Sequence, residues 1–245
     1  NGTYPTPGRP ASGYVVEDGD ALVWLDAGPG TFPAALLLDV PDRADALVLS
    51  HVHPDHCADV FPLLNHLRYG DGFRDRPLPL FAPQGVVDRL TAFLGAGPDH
   101  DFHRLFDVRL AEPGAGHEVG GLEIGFGAAA HSVPAVVTSV EGSARLVYSG
   151  DTGPDGDLAA TASGADLLLC EATWQGDPPD DRYPYHLYAS EAGGIARDAG
   201  VGMLVVTHVA PTLDPAVSVV EAGAVFDGPV SHAEPGTTIE TKGNA

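Results

Sequence analysis

An α/β fold with mixed β-sheets is what this sequence predicts, and three observations carry the reading. Short apolar runs bounded by Gly, Pro and Asp recur along the chain, which reads as strands. Segments of helical spacing lie between some of them, as in α/β proteins. The stretch from Leu122 to Tyr148 reads as consecutive strands, so antiparallel pairs must join the parallel ones.

In chain order, strands are expected at Ala21–Leu25, Ala46–Leu49, Leu122–Phe126, Arg145–Tyr148, Asp166–Cys170 and Met203–Val206. Val60, Leu63, Leu64 and Leu67 recur at helical spacing, and Pro62 predicts that the regular helix begins near it. Val86–Leu94 is a second expected helix. Ser190–Ala199 is a third, stopped by Gly200 at the position after the last helical turn. Gly70–Pro79 and Gly97–Asp101 read as loops. No internal repeat stands out, and 245 residues suffice for one sizeable core, so residues 1–245 are read as a single domain.

Composition narrows the function. Hydrophobic residues make up 44% of the chain and mean hydropathy is near zero, as in soluble globular proteins. No uninterrupted apolar run reaches the roughly 18 residues of a membrane span, so no membrane partner is expected. Asn1–Pro10 is polar and unlike a signal peptide, and the missing initiator Met points to an upstream segment left out. The net charge is −22 and Lys242 is the only lysine, so long RNA or DNA would be repelled for want of a basic cluster. The acidity serves solubility or attracts bivalent cations; both readings stay open. Cys57 and Cys170 are too few for a disulfide framework, so reduced thiols and a cytoplasmic location are expected. Cys57 is not expected to bind metal.

Several apolar runs lead straight into a metal-type residue: Ala46–Ser50 into His51, Leu122–Ala130 into His131, Leu146–Gly150 into Asp151, and Leu204–Thr207 into His208. Loops beyond the carboxyl ends of strands converge on a crevice, which gathers such groups. The densest segment is His51-Val52-His53-Pro54-Asp55-His56, four ligand-type side chains in six residues. On an extended segment His51 and His53 point to one side and can hold one metal. After the turn at Pro54, Asp55 and His56 can face a second. Imidazoles and carboxylates suit zinc, and also manganese or iron.

With its preceding apolar strand and following helix, this hexapeptide resembles the signature of the metallo-β-lactamase superfamily, and the likeness extends along nearly the whole chain. The resemblance implies a four-layer αββα sandwich with two mixed β-sheets and the metals at one edge. It assigns His51, His53 and His131 to one metal, Asp55, His56 and His208 to a second, and Asp151 as a bridge between them. Asp26, in Val23-Trp24-Leu25-Asp26-Ala27-Gly28, would orient the metal-binding loop. Gly2-Thr3…Pro7…Arg9…Ser12, Glu171-Ala172-Thr173-Trp174 and His186-Leu187-Tyr188-Ala189-Ser190-Glu191-Ala192 resemble the ribonuclease Z branch, in which a histidine at the place of His186 assists phosphate-ester cleavage. The short span from His131 to Asp151 lacks the tRNA-gripping arm many of that branch carry, and an aspartate at 151 argues against a true β-lactamase. Phosphodiesterases acting on cyclic nucleotides are the nearest likeness.

The function this implies is a dinuclear metal-dependent hydrolase acting on small phosphodiesters. Asp55 would orient the nucleophile as well as bind metal, and His186, held by Glu171, would protonate the leaving alkoxide or stabilise charge on the phosphate. A lactonase or other carboxylic-ester hydrolase is the alternative on the same metals. A diiron oxidoreductase of the superfamily would want glutamate where His53 stands, and a non-catalytic binding protein would not need the complete ligand set. His66, His100, His103, His117 and His232 match no metal motif and read as surface or packing residues. Trp174–Tyr185, with the two loops above, is expected to wall the pocket. A homodimer is compatible with the sequence, which does not assign the oligomeric state.

Overall fold

The computed structural model of the chain describes residues 2–70, 76–95 and 102–241. The first sheet has the order β1-β2-β3-β4-β5, formed by Tyr14–Asp18, Ala21–Leu25, Ala46–Val48, Leu78–Ala82 and Phe106–Leu110. β1 and β2 form an antiparallel hairpin, and the pairs from β2 to β5 are parallel. In the second sheet β6 (Gly116–Val119), β7 (Leu122–Ala128), β8 (Val136–Glu141) and β9 (Arg145–Tyr148) form an antiparallel meander. Parallel strands β10 (Leu167–Glu171), β11 (Leu204–Thr207) and β12 (Val230–His232) continue it from β9. Both sheets are mixed, as expected.

The helices are α1 (Thr31–Leu36), α2 (Val40–Arg43), α3 (Pro54–Cys57), α4 (Val60–Tyr69), α5 (Val86–Phe93), α6 (Phe102–Leu105), α7 (Leu158–Thr161), α8 (Ala189–Ala199) and α9 (Pro215–Gly223). Strand period two sorts the core into three slabs. Leu22, Trp24, Leu47 and Leu49 face outward onto Leu63, Leu67 and Leu90 of the helices. Val23, Leu25 and Val48 face inward onto Ile124, Tyr148, Leu169 and Val205 of the other sheet. Leu168, Cys170, Leu204 and Val206 face outward again onto Ala192, Ala196 and Leu158. Helices, sheet, sheet, helices: the four-layer αββα sandwich is present.

Boundaries shift where pairing or packing overrides the apolar pattern. β10 and β11 each begin and end one residue later than the sequence predicts, and β7 runs on to Ala128 because it pairs with β8 through Val136. Helix α4 starts at Val60, ahead of Pro62, which sits in the first turn where a missing N–H costs nothing. The expected loop Gly70–Pro79 ends sooner, because Leu78 and Pro79 pair with Phe106 and Asp107. Residues 71–75 of that loop, Gly97–Asp101 and His100 lie outside the described residues. Among the described residues no helix is long and apolar enough to cross a membrane.

Candidate metal centre

The carboxyl ends of β2, β3, β9, β10 and β11 lie at one edge of the sandwich, and the chemistry follows them directly. His51 comes three residues after β3, Asp151 three after β9, and His208 immediately after β11. After His51 the chain extends through His53 and turns into α3, with Pro54 as its first residue, so Asp55 and His56 ride on a helical turn. Gly28 lets this turn close, because a Cβ there would lie 1.9 Å from the Asp55 carbonyl oxygen.

Two ligand clusters result. In one, His53 Nδ1 lies 3.0 Å from His51 Nε2 and 3.0 Å from His131 Nε2, with Asp151 Oδ2 3.7 Å from His51 Nε2. In the other, His208 Nε2 lies 3.3 Å from Asp55 Oδ2 and 3.4 Å from Asp151 Oδ1, and His56 Nε2 lies 3.2 Å from Asp151 Oδ1. Asp151 belongs to both clusters, one carboxyl oxygen in each. All seven residues the sequence singled out are brought together, while Cys57 donates its thiol to the Val52 carbonyl instead.

The donor set fits bivalent metal. Three imidazole nitrogens about 3 Å apart cannot all serve one another as donors, but they can share an ion. His56 Nε2 and Asp151 Oδ1 are buried 3.2 Å apart without a well-aligned hydrogen bond among the described residues, a cost an ion would remove. Burial lowers the pKa of His51, His53 and His131, which keeps them neutral as ligands must be. His56 behaves oppositely: burial disfavours its charge, yet Asp151 and Asp26 hold it well above the ordinary histidine range. Those carboxylates demand positive charge at this point.

The far nitrogens are secured from behind, which selects the tautomer that leaves the inner nitrogen free. His56 Nδ1 donates to Asp26 Oδ2 at 2.7 Å, and His131 Nδ1 to the Tyr185 carbonyl at 3.1 Å. Ser50 Oγ donates to Asp26 at 2.8 Å and receives His51 Nδ1 at 3.0 Å. Thr173 Oγ1 donates to Glu171 Oε2 at 2.6 Å and receives His208 Nδ1 at 2.9 Å. Asp26 thus sits behind the loop as expected, at φ 58° and fully buried.

The sequence model of the family described as the beta-lactamase superfamily domain matches residues 21–209, most of the chain and every residue of both clusters. The chain belongs to the metallo-β-lactamase superfamily. An uncharacterised protein of Mycobacterium leprae is 37% identical over 248 residues, covering 98% of this chain and 86% of that one. Ribonuclease Z of Mycobacterium sp. strain KMS is 33% identical over 234 residues, covering 86% of this chain and 82% of that one. The metallo-β-lactamase fold protein YhfI from Bacillus subtilis superposes with a TM-score of 0.85 at 26% identity, over 98% of this chain and 95% of that one. The chain is therefore a metallo-hydrolase of this superfamily with a His/Asp cluster able to bind metal ions.

Beside this His/Asp cluster stands His186, its ring stacked on His208 with centroids 5.6 Å apart. His186 Nδ1 donates to Glu171 Oε1 at 3.1 Å. Burial lowers its pKa, but the hydrogen bond and charge of Glu171 outweigh that and raise it to about 9. Glu171, His186 and His208 could form a third ligand group. Glu171 is instead saturated by donors from Thr152 N, Thr173 Oγ1, His186 Nδ1 and Leu187 N, so hydrogen bonding accounts for it. Tyr183 and Tyr185 pack around His186 and His131, placing part of the expected Trp174–Tyr185 wall at the site. Gly153 admits this wall, since a Cβ there would lie 1.8 Å from the Pro184 carbonyl.

Sequence reading missed Ser50 and Thr173, which hold His51 and His208 from behind, and Tyr148, which holds Asp26. Ser50 and Thr173 sit next to His51 and two residues past Glu171, a signal that could have found them. The other described histidines behave as expected: His66 bonds Asp42, His232 bonds Glu234, His103 packs on Phe102, and His117 packs on Phe81.

Proposed function

We propose that this chain is a phosphodiesterase with two bivalent metal ions, zinc first, acting on small phosphodiesters such as cyclic nucleotides in the cytoplasm. The observation that carries the reading is His186. It is not in either principal ligand cluster, and its Nδ1 is held by buried Glu171, which leaves Nε2 free for substrate.

When bound, the two ions supply a water-derived nucleophile at neutral pH and neutralise charge on the phosphoryl oxygens. His51, His53, His131 and Asp151 would hold one ion, and Asp55, His56, His208 and Asp151 the other. Asp55, less buried than His56 or Asp151, would also accept a hydrogen bond from the nucleophile and aim it. His186 Nε2 donates a proton to the leaving alkoxide, or a hydrogen bond to the phosphate, while Glu171 holds the imidazole in register.

Small substrates are favoured by the net charge of −22 and by the wall loop, which carries Asp177, Asp180 and Asp181. Its Arg182 is engaged by Glu191. The interval from His131 to Asp151 is taken up by β8 and β9, with no inserted arm to grip a long strand. A name such as ribonuclease Z on a relative supports phosphodiester chemistry, whereas this surface disfavours a polyanion.

The test is hydrolysis of bis(p-nitrophenyl) phosphate, a cyclic nucleotide and a lactone, with metal content measured on the same sample. Turnover of the diesters with about two metal equivalents is expected. Turnover of the lactone alone would move the function to carboxylic-ester hydrolysis on the same metals.

A further inference from the structure

The metal cluster draws its residues from both sheets. His51, His53, Asp55 and His56 follow β3 of the first sheet, whereas His131, Asp151 and His208 follow β7, β9 and β11 of the second. Whatever sets the spacing of the sheets at this edge also sets the site.

Two tyrosines cross that gap in opposite directions. Tyr148, the last residue of β9, donates its hydroxyl to Asp26 Oδ2 of the first sheet's edge at 2.7 Å. Tyr14, the first residue of β1, shares a 2.5 Å hydrogen bond with Thr207 Oγ1, the last residue of β11. The two rings pack against each other with centroids 5.1 Å apart. Tyr148 is fully enclosed, and burial and the Asp26 charge keep its hydroxyl protonated, so it remains a donor.

Both links end beside the same cluster. Asp26 Oδ2, which receives Tyr148, also receives His56 Nδ1. Thr207, which meets Tyr14, directly precedes His208, held at φ 52°. His56 and His208 are the two imidazoles of the cluster with Asp55 and Asp151. The three-histidine cluster touches this pair through His51, whose ring centroid lies 4.2 Å from that of His56, and shares Asp151 with it, but its other two histidines stand apart from both links, His131 being held by Tyr185.

We propose that Tyr148 and Tyr14 are positioning residues that set the separation of His56 from His208, and so govern the affinity of one metal position more than the other. This rests on the two-ion reading above.

The experiment is a competition titration of chelator-stripped protein with cobalt, whose visible absorption reports the ligand set, on wild type, Tyr148→Phe and Tyr14→Phe. Phenylalanine keeps the ring packing and removes only the hydroxyl, and circular dichroism of the stripped proteins checks that the fold is kept. Wild type should take two equivalents. In the variants the three-histidine position should fill as before, and the second should weaken by about 10- to 100-fold, more in Tyr148→Phe because its acceptor is a carboxylate. Two unaltered equivalents in both variants, or equal weakening of both positions, would overturn the proposal. A wild type that binds a single equivalent would instead remove the two-ion reading, and the proposal with it.

Discussion

His56 and His208 face one another with ring centroids 5.2 Å apart, although one follows a strand of the first sheet and the other a strand of the second. Each is fastened behind by its own partner, His56 by Asp26 and His208 by Thr173. The pairing therefore depends on buried polar groups that bind no substrate, and several consequences can be measured.

Asp26 accepts from Ser50 N, Ser50 Oγ, His56 Nδ1 and Tyr148 OH while fully buried. Asp26→Asn keeps the shape but turns an amide donor towards groups that are themselves donors. We expect a stability loss of at least about 1–3 kcal/mol in urea unfolding. Metal affinity should fall by about 10- to 100-fold. An unchanged unfolding midpoint with full metal content would refute the role given to Asp26.

His186→Ala should keep its metals and lose about 10²- to 10⁴-fold in kcat on a phosphodiester with a poor leaving group. A substrate with p-nitrophenolate as leaving group needs less protonation and should be affected less. Equal activity of variant and wild type on both substrates would defeat the assignment.

Chelation should destabilise the protein. Stripping leaves His56 Nε2 and Asp151 Oδ1 buried without a well-aligned partner, and the carboxylates with only the His56 imidazole to balance them. The melting temperature should drop on chelation and recover on adding zinc or manganese, rising further with metal concentration as mass action requires. A melting curve indifferent to chelator and metal would contradict the donor set's function.

Cys57 and Cys170 are free thiols, 4% and 0% exposed. Burial also pushes the Cys170 thiol far above its usual range, so raising the pH to about 9 produces no thiolate there. Neither thiol should react with a thiol reagent in the native protein, and both should react on unfolding. Fast native labelling of Cys170 would mean the second helix layer opens readily.

The seven cluster residues and the mixed α/β architecture were legible in the sequence, because both are written in local pattern. An imidazole-rich hexapeptide after an apolar strand needs no partner to be noticed, and apolar runs announce strands whatever they pair with. Asp26, His186 and Glu171 were singled out because the short segments around them resemble the family's, not by any pattern of their own. The tertiary structure alone decided the rest: which carboxyl oxygen of Asp151 faces which cluster, that Glu171 serves four donors, and that Tyr14 and Tyr148 reach across the sandwich to Thr207 and Asp26. Tyr148 and Asp26 are 122 residues apart, and Tyr14 and Thr207 are 193 apart. Nothing in either local sequence distinguishes these tyrosines from ordinary strand residues. Contacts of that kind exist only once sheet packing has set the distance between the layers, which is a property of the whole core.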